Sequence, residues 1–127
     1  MTEEQRDLND LIGEEYCYLT TMGRVSGRPH EIEIWFGLRN LTLYLLSGGG
    51  EKSDWVKNLL KNPSVTVRIG KRVFAGTARL VKDPDEESLA RLLLAKKYHE
   101  MEDEQTLSEW ARTALPVAID LNPGAGK

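Results

Sequence analysis

His30-Glu31-Ile32-Glu33-Ile34-Trp35-Phe36-Gly37-Leu38, then Arg39-Asn40, then Leu41-Thr42-Leu43-Tyr44-Leu45-Leu46, is the stretch on which the fold turns. Ile32, Ile34, Phe36 and Leu38 alternate with Glu31, Glu33, Trp35 and Gly37. A period of two puts the first set on one side of a strand, facing a core, and the second on the other. Arg39-Asn40 predicts a tight turn into a mostly apolar second strand, so the two segments read as a hairpin. Ser47-Gly48-Gly49-Gly50 breaks it.

Outward from this hairpin the pattern continues. Upstream, Tyr16 to Met22 is rich in aromatic and β-branched residues and reads as a strand, followed by the loop Gly23-Arg24-Val25-Ser26-Gly27-Arg28-Pro29. Before it, Thr2 and Gln5 form a capping box ahead of Leu8, Leu11 and Ile12, predicting a short helix that stops at Gly13. Downstream, Ser53 is an N-cap for a helix carrying Trp55, Val56, Leu59 and Leu60 on one side, and Asn62-Pro63 stops it. Val65, Val67 and Ile69 alternate with polar residues, turn at Gly70-Lys71 and return through Val73 to Val81 as a second hairpin. Asp83 as N-cap, Pro84 at the first helical position, early acids and late Lys96 and Lys97 mark another helix. Thr106 to Glu109 is a capping box opening a short helix through Trp110, Pro116 to Leu121 reads as a last strand, and Asn122 to Lys127 as a tail. The order predicts a mainly β fold with α: an antiparallel barrel, with short helices against its outside or across its openings.

The chain has 127 residues, 40% of them hydrophobic, which bounds residues 1–127 to one domain. Its lone cysteine, Cys17, excludes an internal disulfide, and with His30 and His99 it cannot build a standard zinc site, so no metal is expected. The acidic, polar first residues and the lack of a long apolar run predict a cytoplasmic protein without a membrane span. The net charge of −3 is unevenly spread. Residues 16–81 hold ten basic and four acidic side chains, whereas the remainder holds seven basic and sixteen acidic ones. A basic centre in an acidic chain suits an anion smaller than nucleic acid, whose binding surfaces are usually joined to a basic overall charge.

Two glycine-rich loops lie in that basic segment. Gly23 to Arg28 offers two guanidinium groups, a hydroxyl and glycines that let backbone amides approach a ligand. Ser47 to Trp55 runs from a strand end into a helix N-terminus, adding free amides and the helix dipole to Lys52 and Ser53. Either loop alone is accounted for by a glycine turn with a capping serine. Together they point to a phosphate-bearing ligand. The spacing is neither that of a P-loop nor that of a dinucleotide-binding βαβ unit.

Leu19 to Pro29, Trp35-Phe36, Leu45 to Gly49, Lys52-Ser53-Asp54-Trp55, Asn58-Leu59 and Asn62 to Val67, in this order and spacing, resemble the deazaflavin-dependent nitroreductase family. That family lies within the split β-barrel flavin and deazaflavin oxidoreductases related to pyridoxamine phosphate oxidase. The resemblance covers residues 17–81 well and the rest weakly. It implies a homodimeric split β-barrel that binds coenzyme F-420, a deazaflavin with a phosphate and an oligoglutamate tail, and passes hydride to a small-molecule acceptor, an unsaturated or nitro compound. By position, Arg24, Ser26, Gly27 and Arg28 would follow the cofactor's anionic part, and Lys52 and Ser53 its phosphate. Trp35, Phe36, Ser47 and Gly48 would border the ring, with Trp55 and Asn58 bracing the helix. Val25 departs from the family, where many relatives carry a basic residue.

No side chain donates a hydride, and the sequence contains no convincing catalytic triad, in keeping with a cofactor that carries the chemistry. Tyr98 is a candidate for the acceptor pocket, with a tyrosine closing its helix as the plainer reading. FMN in place of the deazaflavin, or a non-catalytic flavin- or deazaflavin-binding protein, are the alternatives. His30 reads as a rim residue, Glu31 and Glu33 as a dimer contact or solvated face, Cys17 as a small buried hydrophobe and Trp110 as packing.

Overall fold

The computed structural model describes residues 10–99 and 104–122, with the side chains of 104–108 excepted. The strands are β1 (Cys17–Met22), β2 (Pro29–Ile34), β3 (Gly37–Arg39), β4 (Thr42–Ser47), β5 (Ser64–Ile69), β6 (Arg72–Leu80) and β7 (Leu115–Asn122). The helices are α1 (Asp54–Lys61), α2 (Pro84–Lys97) and α3 (Glu104–Thr113), and a 3-10 turn at Gly50–Lys52 precedes α1. The strands form one sheet in the order β2-β1-β5-β6-β7-β4-β3. Every pairing in it is antiparallel.

The segment expected to be one strand from His30 to Leu38 is two, and this correction explains the barrel. Ile34 pairs with Cys17 on β1, while Gly37 pairs with Tyr44 on β4. β2 and β3 are therefore the two opposite edges of the sheet, joined only by Trp35 and Phe36. Three Cα steps from Ile34 to Gly37 span at most about 11 Å, so the sheet must curl until its edges nearly meet. The strand breaks because its backbone finds better partners outside the ladder. The Phe36 amide donates to the Tyr98 hydroxyl at 3.0 Å, and the Phe36 carbonyl accepts from Lys97 Nζ at 3.1 Å. Buried peptide groups that leave a sheet need such replacements.

The alternation read from the sequence fills the barrel with Leu19, Phe36, Leu43, Leu45, Val67, Ile69, Val117 and Ile119, all fully buried. A second apolar cluster lies between the sheet and α2 and α3, built on Tyr44, Leu46, Ala90, Leu94, Tyr98, Ala111 and Ala118. Gly37 belongs beneath α2 rather than on a solvated face, since a Cβ there would stand 2.8 Å from Leu93 Cδ2. α1 lays Val56, Asn58 and Leu59 against the barrel.

The local signals hold at most boundaries. Asp83 accepts from the Glu86 amide at 2.9 Å, capping α2 with Pro84 in its first turn. Asn40, at φ +55°, and Gly70, at φ +59°, make the turns of the two hairpins. α3 starts at Glu104, ahead of the expected cap at Thr106. Its C-terminal carbonyls are met by Arg91, which donates to Ala111 O and Ala114 O at 2.8 Å each. The expected N-terminal helix lies outside the described residues except for its helical end at Asp10 and Leu11, as do residues 123–127 of the tail. Among the described residues no helix is long and apolar enough to cross a membrane.

Candidate functional site

The β1–β2 loop closes on itself. Gly23 N donates to Arg28 O at 2.8 Å, Gly27 N to Gly23 O at 2.9 Å, and Arg28 N to Ser26 Oγ at 3.1 Å. Gly27 sits at φ +72°, where only glycine is comfortable. At Gly23 a Cβ would fall 2.6 Å from Ser26 Oγ and 2.7 Å from His30 Nε2, so a side chain there would require those two side chains to move.

This loop is pinned to α1 by Asn58, which is 4% exposed. Asn58 Oδ1 accepts from the Arg24 backbone amide at 3.1 Å and from Arg24 Nη1 at 2.9 Å, while Nδ2 donates to Thr21 Oγ1 at 3.2 Å. Arg24 Nη2 pairs with Asp54 Oδ1 at 3.1 Å, and Lys61 Nζ donates to the Arg24 carbonyl at 2.9 Å. The result is a cleft of about 500 Å³ between loop and helix, lined among others by Arg24, Ser26, His30, Asp54, Trp55 and Asn58. Arg24, Ser26 and Trp55, expected from the sequence to meet a ligand, are thus brought together. Arg28 and Gly27 are exposed on the same loop.

The second glycine-rich loop leads to the same helix. Ser53 occupies the N-cap position of α1, but its side chain does not cap. The Ser47 hydroxyl donates to Gly50 O at 3.0 Å, so across the 2.8 Å contact between the two serines it is Ser53 that donates to Ser47. The first-turn amides of α1 are left without a side-chain acceptor, and Lys52 stands exposed beside them. Unmet amides at a helix start, a free ammonium and a guanidinium form the donor set a phosphate requires, so these residues fit a phosphate-bearing cofactor.

The remaining expected residues form an aromatic corner. Trp35 stacks on Tyr98 with ring centroids 4.1 Å apart and meets Trp110 edge-on at 5.6 Å. Gly48 adjoins it, since a Cβ there would lie 3.9 Å from Trp110 Cδ1. Trp35 is half-buried, whereas Phe36 and Tyr98 are fully buried and present no side-chain surface to a ligand. The Tyr98 hydroxyl accepts from the Phe36 amide and lies 2.7 Å from Glu15 O and 3.0 Å from Phe36 O, a site for its single proton. Burial raises its phenol pKa. Lys97 Nζ lies 3.5 Å from the Phe36 ring centroid, and burial pulls its ammonium down to about 8. Cys17 is buried as expected, its thiol pushed up to about 12 by burial, which makes it inert. Sequence reasoning missed Asp54 and Lys61 as partners of Arg24, because an acid in the first turn and a base in the last are what any helix carries.

Comparison with known proteins now adds to this geometry. The model of the family described as F420H(2)-dependent quinone reductase matches residues 2–122. Among solved structures, a conserved hypothetical protein of Mycobacterium tuberculosis aligns with a TM-score of 0.74 at 21% identity, covering 96% of this chain and 81% of its own. A Listeria innocua protein provisionally assigned as a pyridoxamine 5'-phosphate oxidase aligns with a TM-score of 0.70 at 22% identity, covering 95% and 94%. An F420-H2 dependent reductase aligns with a TM-score of 0.65 at 24% identity, covering 83% and 93%. The structural likenesses establish the split-barrel fold.

Proposed function

This chain belongs to the F420H(2)-dependent quinone reductase family and is an F420-dependent reductase, and on that premise we propose that the phosphate-bearing arm of the cofactor lies between the 23–28 loop and the start of α1. The observation that carries this reading is that the Arg24 loop is tied to Asp54, in the first turn of α1, where the N-cap Ser53 supplies no side-chain cap; Lys52 directly precedes that N-cap in the chain. The reduced deazaflavin, when bound, supplies the hydride. The chain's own residues bind, orient and shield. Arg24, Ser26 and Arg28 follow the anionic arm, with Gly27 allowing the turn. Lys52 meets the phosphate together with the backbone amides that follow Ser53 at the start of α1, while Trp55 and Asn58 hold the helix against the loop. Trp35 and Gly48 border the ring at the aromatic corner, where a planar acceptor can be held against it with water excluded, and the buried Ser47 shapes the loop by donating to Gly50 O. The acceptor is an unsaturated compound such as a quinone or enone, or a nitro compound, and the chain acts as a homodimer. Tyr98 supports Trp35 by stacking on it and takes the Phe36 backbone amide.

The test is a fluorescence titration of the purified protein with coenzyme F-420 and, separately, FMN, followed by oxidation of the reduced deazaflavin with quinone, enone and nitro acceptors. Tight binding of F-420 and turnover with one of these classes is expected. Preference for FMN, or turnover with none of them, overturns the reading.

A further inference from the structure

We propose that Asp54 is a built-in competitor for the anion: it holds the Arg24 guanidinium and is displaced from it when the phosphate-bearing arm binds. The inference rests on the placement of that arm given above. The Arg24 guanidinium is held by two side chains, and the two restraints differ in kind. Asn58, nearly fully buried, holds Nη1 at 2.9 Å and the Arg24 backbone amide at 3.1 Å. Asp54 holds Nη2 at 3.1 Å with a side chain that is 85% exposed, so this contact is a solvated ion pair. Such pairs contribute little stability and are readily exchanged. A carboxylate lining an anion's cleft also repels the anion and takes up the guanidinium edge the anion needs. Asp54 therefore preorganises Arg24 weakly while opposing the ligand, and Asn58 keeps the arginine in position once the carboxylate swings away.

The sign of one substitution separates competition from mere positioning. If Asp54 only positions Arg24, Asp54→Asn weakens binding of F-420. As a competitor, its neutralisation tightens binding, by about two- to five-fold given the small worth of an exposed pair. Removing a charge from the first turn of α1 would also favour an anion through the helix field. That contribution survives without the arginine, so Asp54→Asn is measured again in an Arg24→Ala background. The experiment is a set of F-420 fluorescence titrations at fixed ionic strength on the wild type, Asp54→Asn, Arg24→Ala and the double variant, each with its melting temperature. The expected result is tighter binding by Asp54→Asn and loss of most of that gain in the double variant. Unchanged or weaker binding by Asp54→Asn, or a gain that persists without Arg24, overturns the proposal. If Arg24→Ala leaves the affinity unchanged, the placement of the anionic arm falls as well.

Discussion

Lys52 and Arg24 are both cations of glycine-rich loops, yet they stand in different circumstances. Lys52 is exposed and takes no ion pair with another described side chain, so its removal should act on the ligand alone. Lys52→Ala is expected to weaken F-420 binding by roughly 1–3 kcal/mol, the worth of a charge-assisted hydrogen bond. The melting temperature should be unmoved, as for most surface substitutions. Fluorescence titration and thermal melting check both, and an unchanged affinity would place the phosphate elsewhere. Lys52 could be picked out from its neighbours in sequence. The attachment of Arg24 could not, because its partners Asp54 and Asn58 lie 30 and 34 residues away. Phe36 shows the same limit. The alternation correctly turned it to the core, and only the resemblance brought it to the ring.

At the scale of elements, α2 is the most legible helix, and it also hides a network that sequence does not show. Asp83, Pro84 and the early acids announce its start. What fixes that start to the sheet is Glu86. Its carboxylate accepts from Arg79 Nη1 and Nη2 at 2.7 and 2.8 Å and from the Tyr44 hydroxyl at 2.7 Å. Arg79 also reaches Asp120 on β7, at 2.7 Å through Nε. The Arg79 guanidinium, with help from Tyr44, holds the Glu86 carboxyl down at about 2 from an ordinary 4.5. A carboxyl with a depressed folded pKa contributes stability that is present above its unfolded pKa and lost as pH falls through the folded one. The melting temperature should therefore fall as pH is lowered from about 4.5 toward 2. Glu86→Gln should be less stable at neutral pH and show a flatter acid limb. Parallel melting curves of the two proteins across that range decide it; identical acid limbs would refute the assignment.

For the whole molecule, the open question is what covers the edge of the sheet. Among the described residues β2 pairs only with β1, and its Glu31 and Glu33 are exposed. A second copy is the simplest cover for such an edge. Sedimentation should give a mass twice that of one chain, and a monomer mass independent of concentration would exclude the homodimer.

By itself the sequence determined where most strands lie, which loops are glycine-rich and basic, and that the basic residues gather in the middle of the chain, because periodicity, glycine and charge act over a few residues at a time. Tertiary structure alone decided that His30 to Leu38 splits across both edges of the barrel and that Arg24 is held by α1. Both outcomes depend on distant partners: Tyr98 taking the Phe36 backbone from 62 residues away, and Asn58 taking Arg24. A buried peptide group, like a part-buried guanidinium, goes wherever folding brings it a partner.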